Sequence, residues 1–390
     1  MAPEDILPEA LLDRLRGRAA GYDQNNRFIQ EDLDDLAEAG YLKLFVPEAD
    51  GGPGLGLEAV AALQQRLATA APATALAINM HLVWTGVAAV MAARGDNALG
   101  FLLQEAGQGE IFAFGISEAG NDSMLFDSGT VAEPLPDGSY RFTGRKIFTS
   151  LSRGWTRLGT FGKDPEARDG AGELVFGFIR RDEPGHETLS DWDTLGMRAS
   201  ASNTTLLHGA VVPPERIFRK LPVGPNQDLL IFAIFACFET LLAAVYTGLA
   251  ERALTLAVEN VKRRVSAKHG GRSYAQDPDI RWKVADAAMA MDGIQPQLTL
   301  LARDVDNLVD HGPQWFPKLV GLKSRATENA RHVVDLAIRV TGGSSYFRGS
   351  EMERLYRDVL AGIFHPSNDE SAHNTVANAW LGPLESQESR

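Results

Sequence analysis

Between Leu229 and Ala250 the chain carries a single charge, Glu239, in an otherwise apolar run of helical length. Length alone would let such a run cross a bilayer. Its contents argue otherwise. It holds a carboxylate, has Tyr246, Thr247 and Gly248 near its end, and passes without a break into Glu251-Arg-Ala-Leu-Thr-Leu-Ala257. A helix apolar on most sides belongs at the centre of a large bundle, covered by other helices. The run therefore predicts a helical core and no membrane span. It also places a carboxylate inside that core. A buried Glu239 either hydrogen-bonds to Thr240 or a neighbouring helix, or stands unpaired with a raised pKa, which suits a proton-accepting base and equally a silent neutral acid.

The remainder of the 390 residues is consistent with a core of that size. Apolar residues make up 44%, enough for two or three structural units. The formal net charge of −13 and the lack of a Lys/Arg cluster exclude a nucleic-acid-binding face; Lys262-Arg263-Arg264 reads as a solvated helix face. Cys237 is the only cysteine, so neither an intramolecular disulfide nor a cysteine metal site is expected, and no metal is assigned. Met1-Ala-Pro-Glu-Asp-Ile has no basic or hydrophobic leader character, and the cytoplasm is the expected location.

Helical periodicity dominates both ends of the chain. Leu11, Leu12, Leu15 and Ala19 share one face, and Leu33, Leu36 and Ala37 another that stops at Gly40. Phe45 to Gly56, with four glycines and two prolines, forms a loop. Leu57–Ala70 and Ala75–Ala93 read as Ala-rich helices, the second containing His81; further helices are expected over 281–290, 297–308 and 318–340. The middle differs. Tyr140–Gly144, Leu174–Ile179 and Thr204–Val212 are rich in β-branched and aromatic residues and are separated by Gly, Pro and Asp, the pattern of strands and turns. A β block between helical blocks predicts an α+β fold: an N-terminal helical domain over 1–110, a central β domain over 111–222 and a C-terminal helical bundle over 223–390.

Several segments resemble one family. Trp192-Asp-Thr-Leu-Gly-Met-Arg-Ala-Ser-Ala-Ser-Asn203, followed by Val211-Val-Pro-Pro-Glu215, resembles the Leu-Gly-Met-Arg segment and closing Val-Pro of the acyl-CoA dehydrogenases. Ser117-Glu-Ala-Gly-Asn-Asp-Ser123 is similar to the family's Thr-Glu-Pro-Gly-Ala-Gly-Ser, with departures at Ala119, Asn121 and Asp122. Gly144-Arg-Lys-Ile-Phe-Thr-Ser150, Thr341-Gly-Gly343 and Glu353-Arg-Leu-Tyr-Arg-Asp358 extend the likeness over almost the whole chain.

The resemblance implies FAD between the β domain and the C-terminal bundle. Ser117, Phe148 and Ser150 would meet the flavin ring, and Ser123 would lie near an acyl-CoA entrance. Arg264, Gly342 and Gly343 would approach a pyrophosphate across a subunit interface, in a homotetramer or homodimer. It also implies Cα–Cβ oxidation of an acyl thioester, with an electron-transfer flavoprotein as one acceptor. That chemistry needs a base for the α proton. The family's usual Glu, counted from Arg357-Asp358, falls on Pro366, which cannot be one. Glu239, at a second known location, and Asp369 or Glu370 are the substitutes. The loop instead offers His365, as in the flavin-dependent monooxygenases of the same fold, where FMN can take the place of FAD. A dehydrogenase with a displaced base is the first expectation, a monooxygenase the alternative, and a non-catalytic flavin- or acyl-binding homologue the third.

Overall fold

The computed structural model of the chain describes residues 3–267 and 270–384. The apolar run becomes the first part of one long helix, Leu229–Arg263, started by the Asp228 side chain, which accepts from the Leu230 amide at 2.8 Å. It packs against Trp315–Thr341, Pro72–Ala93 and Leu57–Ala68. Nearly every side chain from Leu230 to Ala250 is buried. Both Leu229–Arg263 and Pro72–Ala93 are long and apolar enough to cross a membrane, yet 83% and 89% of their apolar windows are buried inside the protein. They are core helices.

One expectation changes. Residues 281–290 and 297–308, expected as separate helices, form a single helix, Pro278–Asp306, running through Pro296. Proline there removes one backbone donor, but Asp292, Gln295 and Pro296 lie on the exposed side. Water can satisfy the freed carbonyl, so the break is not enforced.

The middle of the chain forms an eight-stranded sheet: Phe112–Gly115 (β1), Val131–Pro134 (β2), Tyr140–Lys146 (β3), Arg157–Asp164 (β4), Glu173–Arg180 (β5), His186–Thr188 (β6), Thr205–Val212 (β7) and Ile217–Pro222 (β8). Their order is β6-β7-β3-β2-β4-β5-β8, with β1 joining β4 in parallel. The period of two sorts the side chains between two cores. Leu174, Phe176 and Phe178 of β5 join the large core shared with the helices, while Val175 and Ile179 join a small one with Phe142, Trp155, Leu158 and Val212. The helix-facing side is aromatic: Trp84 of Pro72–Ala93 meets Phe114 and Phe178 at ring-centroid distances of 5.2 and 5.0 Å. This seam sets the sheet against the helices at the edge where β1 and β3 end. The architecture is α+β, as expected.

Candidate active site

Two adjoining cavities open along that seam, one of about 390 Å³ and one of about 180 Å³. Phe114, Ser117, Phe148, Phe238, Phe364 and Pro366 line both.

The larger cavity lies between the ends of the strands, the helix Pro72–Ala93 and the loop after residue 359. Phe148 forms one wall: the residue is 52% exposed, and Trp192 meets its ring edge-on at 6.1 Å. Such exposure of an aromatic ring is unusual for a residue held so firmly by its backbone. Phe148 has φ +53°, and Leu151, Met197 and Ala201 around it have φ +64°, +50° and +45°. Left-handed backbone at four non-glycine residues is costly and is typically retained where a site requires it. Ser150 lines the cavity, and its hydroxyl meets that of Ser202 at 2.7 Å; Ser202 in turn meets Ser200 at 2.7 Å. Between Phe148 and Ser150, the Thr149 hydroxyl is buried without a hydrogen-bond partner among the described residues.

His365 lines the same cavity. Its Nε2 lies 2.7 Å from the Tyr246 hydroxyl of the long helix. Burial and the nearby Lys323 ammonium lower its pKa to about 3, so the imidazole is neutral at physiological pH. Lys323 fixes the loop behind it. Its ammonium donates to the carbonyls of Gly362, His365 and Ser367 at 3.1, 2.8 and 2.9 Å, using all three protons. Neither Tyr246 nor Lys323 stood out in the sequence. A lysine inside an otherwise apolar helix face was the available signal.

The smaller cavity is lined by five phenylalanines, Phe114, Phe148, Phe235, Phe238 and Phe364, and reaches Glu239. Glu239 is 2% exposed. Its Oε1 accepts from the Ser367 amide at 3.2 Å and hydroxyl at 2.9 Å, whereas Oε2 is buried with no partner among the described residues. Burial raises its pKa to about 7, against the opposing pull of Lys323 and Ser367. Thr240 is not its partner, since that hydroxyl is itself unpaired. Glu118, on the same wall, differs: it accepts from Ser128, Gly129 and Thr130 and is ion-paired with Lys146 at 2.5 Å. Burial opposes its charge, but Lys146 and these donors bring its pKa to about 2.

The Leu-Gly-Met-Arg segment bounds the larger cavity and is clamped from behind. The Met197 amide donates to buried Asp358 at 2.6 Å, and Arg357 donates to the Leu195 carbonyl at 2.8 Å and to Asp23 at 2.9 and 2.6 Å. A Cβ on Gly196 would stand 2.3 Å from the Arg357 carbonyl oxygen, so only glycine permits this approach.

The sequence-derived site residues thus divide. Ser117, Phe148, Ser150, Glu239 and His365 come together at the two cavities. Ser123 is exposed and lines neither; Glu370 is exposed in the first turn of Asp369–Leu381, and Asp369 accepts from Ser324. Arg264, Gly342 and Gly343 lie away from both cavities; the Arg264 guanidinium donates to the Thr341 carbonyl at 2.6 Å, beside Gly342, which ends the helix with φ +80°. His81 lies wholly within the core. One ring nitrogen meets the Leu42 carbonyl at 2.6 Å and the other accepts from the Phe112 amide at 3.1 Å; burial lowers its pKa to about 4. It ties helix to sheet.

Residues 8–98 match the acyl-CoA dehydrogenase N-terminal domain and residues 240–370 the acyl-CoA dehydrogenase C-terminal domain, together more than half of the chain. The chain belongs to the acyl-CoA dehydrogenase family. Members of that family are flavin-dependent oxidoreductases. Among its relatives, YdbM of Bacillus subtilis (strain 168), which carries an acyl-CoA dehydrogenase name, is 28% identical over 377 residues, covering 95% of this chain and 94% of that one. The L-evernosamine nitrososynthase of Micromonospora sp. is also 28% identical, over 368 residues, covering 91% and 84%. In fold, the chain matches TdsC from Paenibacillus sp. A11-2, solved with FMN and indole, at a TM-score of 0.83 and 20% identity, covering 97% and 96%.

The larger cavity fits the ring of a flavin. A flat, largely apolar ring with a polar edge needs an aromatic wall and a few donors. Phe148 and Trp192 would form the wall, and the hydroxyls of Ser117 and Ser150 line the same cavity as hydrogen-bonding groups.

Proposed function

We propose that this member of the acyl-CoA dehydrogenase family is a flavin-dependent monooxygenase acting on a small organic molecule. One observation carries the reading. Where a dehydrogenase of this family would present a carboxylate from the loop after Arg357-Asp358, this chain lines the cavity with His365 and Pro366, and Glu370 stays exposed outside. The relatives add support, since a nitrososynthase is 28% identical to this chain, the same identity as YdbM.

Phe148, Ser150, Ser117 and Trp192 would hold the flavin, FMN as in TdsC or the FAD expected from the family. Reduced flavin supplies the two electrons by which one atom of dioxygen enters the substrate and the other leaves as water. The chain's own contribution is positional and protic. The Phe-rich walls exclude water from the smaller cavity. Tyr246 fixes the neutral His365 ring through Nε2, leaving Nδ1 to hydrogen-bond to a bound molecule at the cavity wall. Phe364 on this loop is 72% exposed, and Trp380, Leu381 and Leu384 at the far end of the chain are 77–90% exposed; a second copy of the chain would cover such apolar side chains.

A second reading has its own observation. Glu239, with one free oxygen and a pKa raised to about 7, is suited to accept an α proton. It would make the protein a dehydrogenase.

Supplying reduced FMN and 18O2 together with a panel of apolar amines and heteroaromatic compounds tests the first reading. One labelled oxygen per product is expected. Products free of label across the panel, with flavin reduced by an organic substrate instead, would overturn it.

A further inference from the structure

The smaller cavity has an unusual balance of charge. Eleven apolar side chains line it, with Ser117, Glu118, Asn121, Glu239 and Ser367 as its polar members. Most of these are already committed. Glu118 serves Lys146 and the 128–130 turn. Asn121 donates to Glu118 and the Asp127 carbonyl while accepting from the Ser123 amide. Ser367 donates to Glu239. What remains is Glu239 Oε2, on a side chain 2% exposed, and the Ser117 hydroxyl. No Lys, Arg or His lines this cavity among the described residues. Lys323 acts on Glu239 through space, but its three protons go to backbone carbonyls and it supplies no donor to the cavity.

A buried acceptor without a donor costs free energy, and native proteins seldom leave one unless a water or ligand completes it. We infer that the smaller cavity binds an apolar amine, with its ring or alkyl body among the phenylalanines and its nitrogen donating to Glu239 Oε2. The site is unsuited to an anion. A carboxylate or phosphate would lie beside Glu239 with no cation to meet it, at a cost in both desolvation and repulsion. Size agrees: an apolar cavity of about 150 Å³ accepts one benzene ring, and this one measures about 180 Å³ before it opens into its neighbour. The inference rests on the monooxygenase reading only for what then happens to the amine; occupancy of the cavity can be measured by itself.

The test uses three indoles that differ in charge: tryptamine, 3-ethylindole and indole-3-propionate. Their binding to the purified protein is measured by calorimetry, with flavin loaded and without oxygen, for wild type and Glu239→Gln. Tryptamine is expected to bind at least about tenfold more tightly than the propionate, with 3-ethylindole between them, because a charge-assisted hydrogen bond to a buried carboxylate separates the series. In Glu239→Gln the gap should close, with tryptamine losing about tenfold and 3-ethylindole changing less than about threefold. Equal or tighter binding of the propionate to wild type would overturn the inference without reference to the variant. A tryptamine preference that survives in a folded Glu239→Gln would overturn it as well. Failure of the 18O2 experiment with this preference intact would remove the monooxygenase reading alone; labelled product with the order of binding reversed would remove this inference alone.

Discussion

Two polar clusters join distant parts of the chain behind the cavities, and they are finished differently. In the first, Arg357 and Asp358 hold Leu195-Gly196-Met197 and Asp23, and Arg357 also pairs with Glu353 at 2.6 Å. Donors and acceptors match. In the second, Lys323, Ser367 and Glu239 hold the loop that carries His365, and one carboxylate oxygen is left over. A saturated network fixes geometry, whereas an incomplete one in a cavity wall has capacity for something else. The segments most recognisable in the sequence, Leu-Gly-Met-Arg and Glu-Arg-Leu-Tyr-Arg-Asp, belong to the saturated cluster. They mark how the site is held and carry little of its chemistry.

If the first cluster is a clamp, crowding it should have the largest effect. Gly196→Val puts a branched side chain where a Cβ already stands 2.3 Å from the Arg357 carbonyl oxygen. The expected loss is on the order of 3–5 kcal/mol, read as a lower thermal midpoint or as failure to accumulate folded protein; a wild-type melt would show that the clamp is not formed.

Lys323→Met removes the donor to three carbonyls and leaves Glu239 without its neighbouring cation. A loss of about 3 kcal/mol is expected, together with a further rise in the Glu239 pKa. Unchanged urea midpoints at pH 7 would mean that the loop is anchored elsewhere.

The third prediction concerns pH. The folded pKa of Glu239 is raised from 4.5 to about 7. Below pH 4.5 the carboxyl is protonated in both states. As pH rises toward 7 the unfolded chain ionises first, so the unfolded state gains and stability falls, by at most roughly 3 kcal/mol. Asp32 and Asp358, both raised to about 6, act in the same direction, and Glu118, lowered to about 2, in the opposite one. The difference between wild type and Glu239→Gln isolates the single group. Parallel profiles between pH 4.5 and 7 would contradict the burial of an ionisable Glu239.

The smallest effect on stability should come from Phe148→Ala. The ring is half exposed, so the apoprotein should melt within about 1 kcal/mol of wild type. Flavin affinity should fall about tenfold. A large loss of stability with flavin binding intact would make Phe148 a core residue.

Much of the fold was legible because its signals are local. β-branched runs gave the strands Tyr140–Lys146, Glu173–Arg180 and Thr205–Val212, and the uncharged run gave the central helix. The single helix Pro278–Asp306 reads as two in the sequence because its middle, with Gly293 and Pro296, is a poor helix former that the exposed face tolerates. The site was legible in part. Ser117, Phe148 and Ser150 flank the turn from strand to cavity and fall within motifs. Glu239 was visible as a lone charge in an apolar run, but not its free oxygen, which depends on Ser367 arriving from 128 positions away. Tyr246 and Lys323 gain their meaning from contacts with residues 362–367 that no local pattern encodes.

On the proposed reading, this cleft oxygenates a small organic molecule and does not dehydrogenate an acyl thioester. The most direct test is an anaerobic titration of the flavin-loaded protein with acyl-CoAs of short to long chain, following the flavin absorbance. With His365 and Pro366 on the loop where a carboxylate base would stand, the oxidised spectrum should persist throughout. Bleaching by any acyl-CoA, abolished by Glu239→Gln, would contradict the monooxygenase reading and make Glu239 the base of a dehydrogenase.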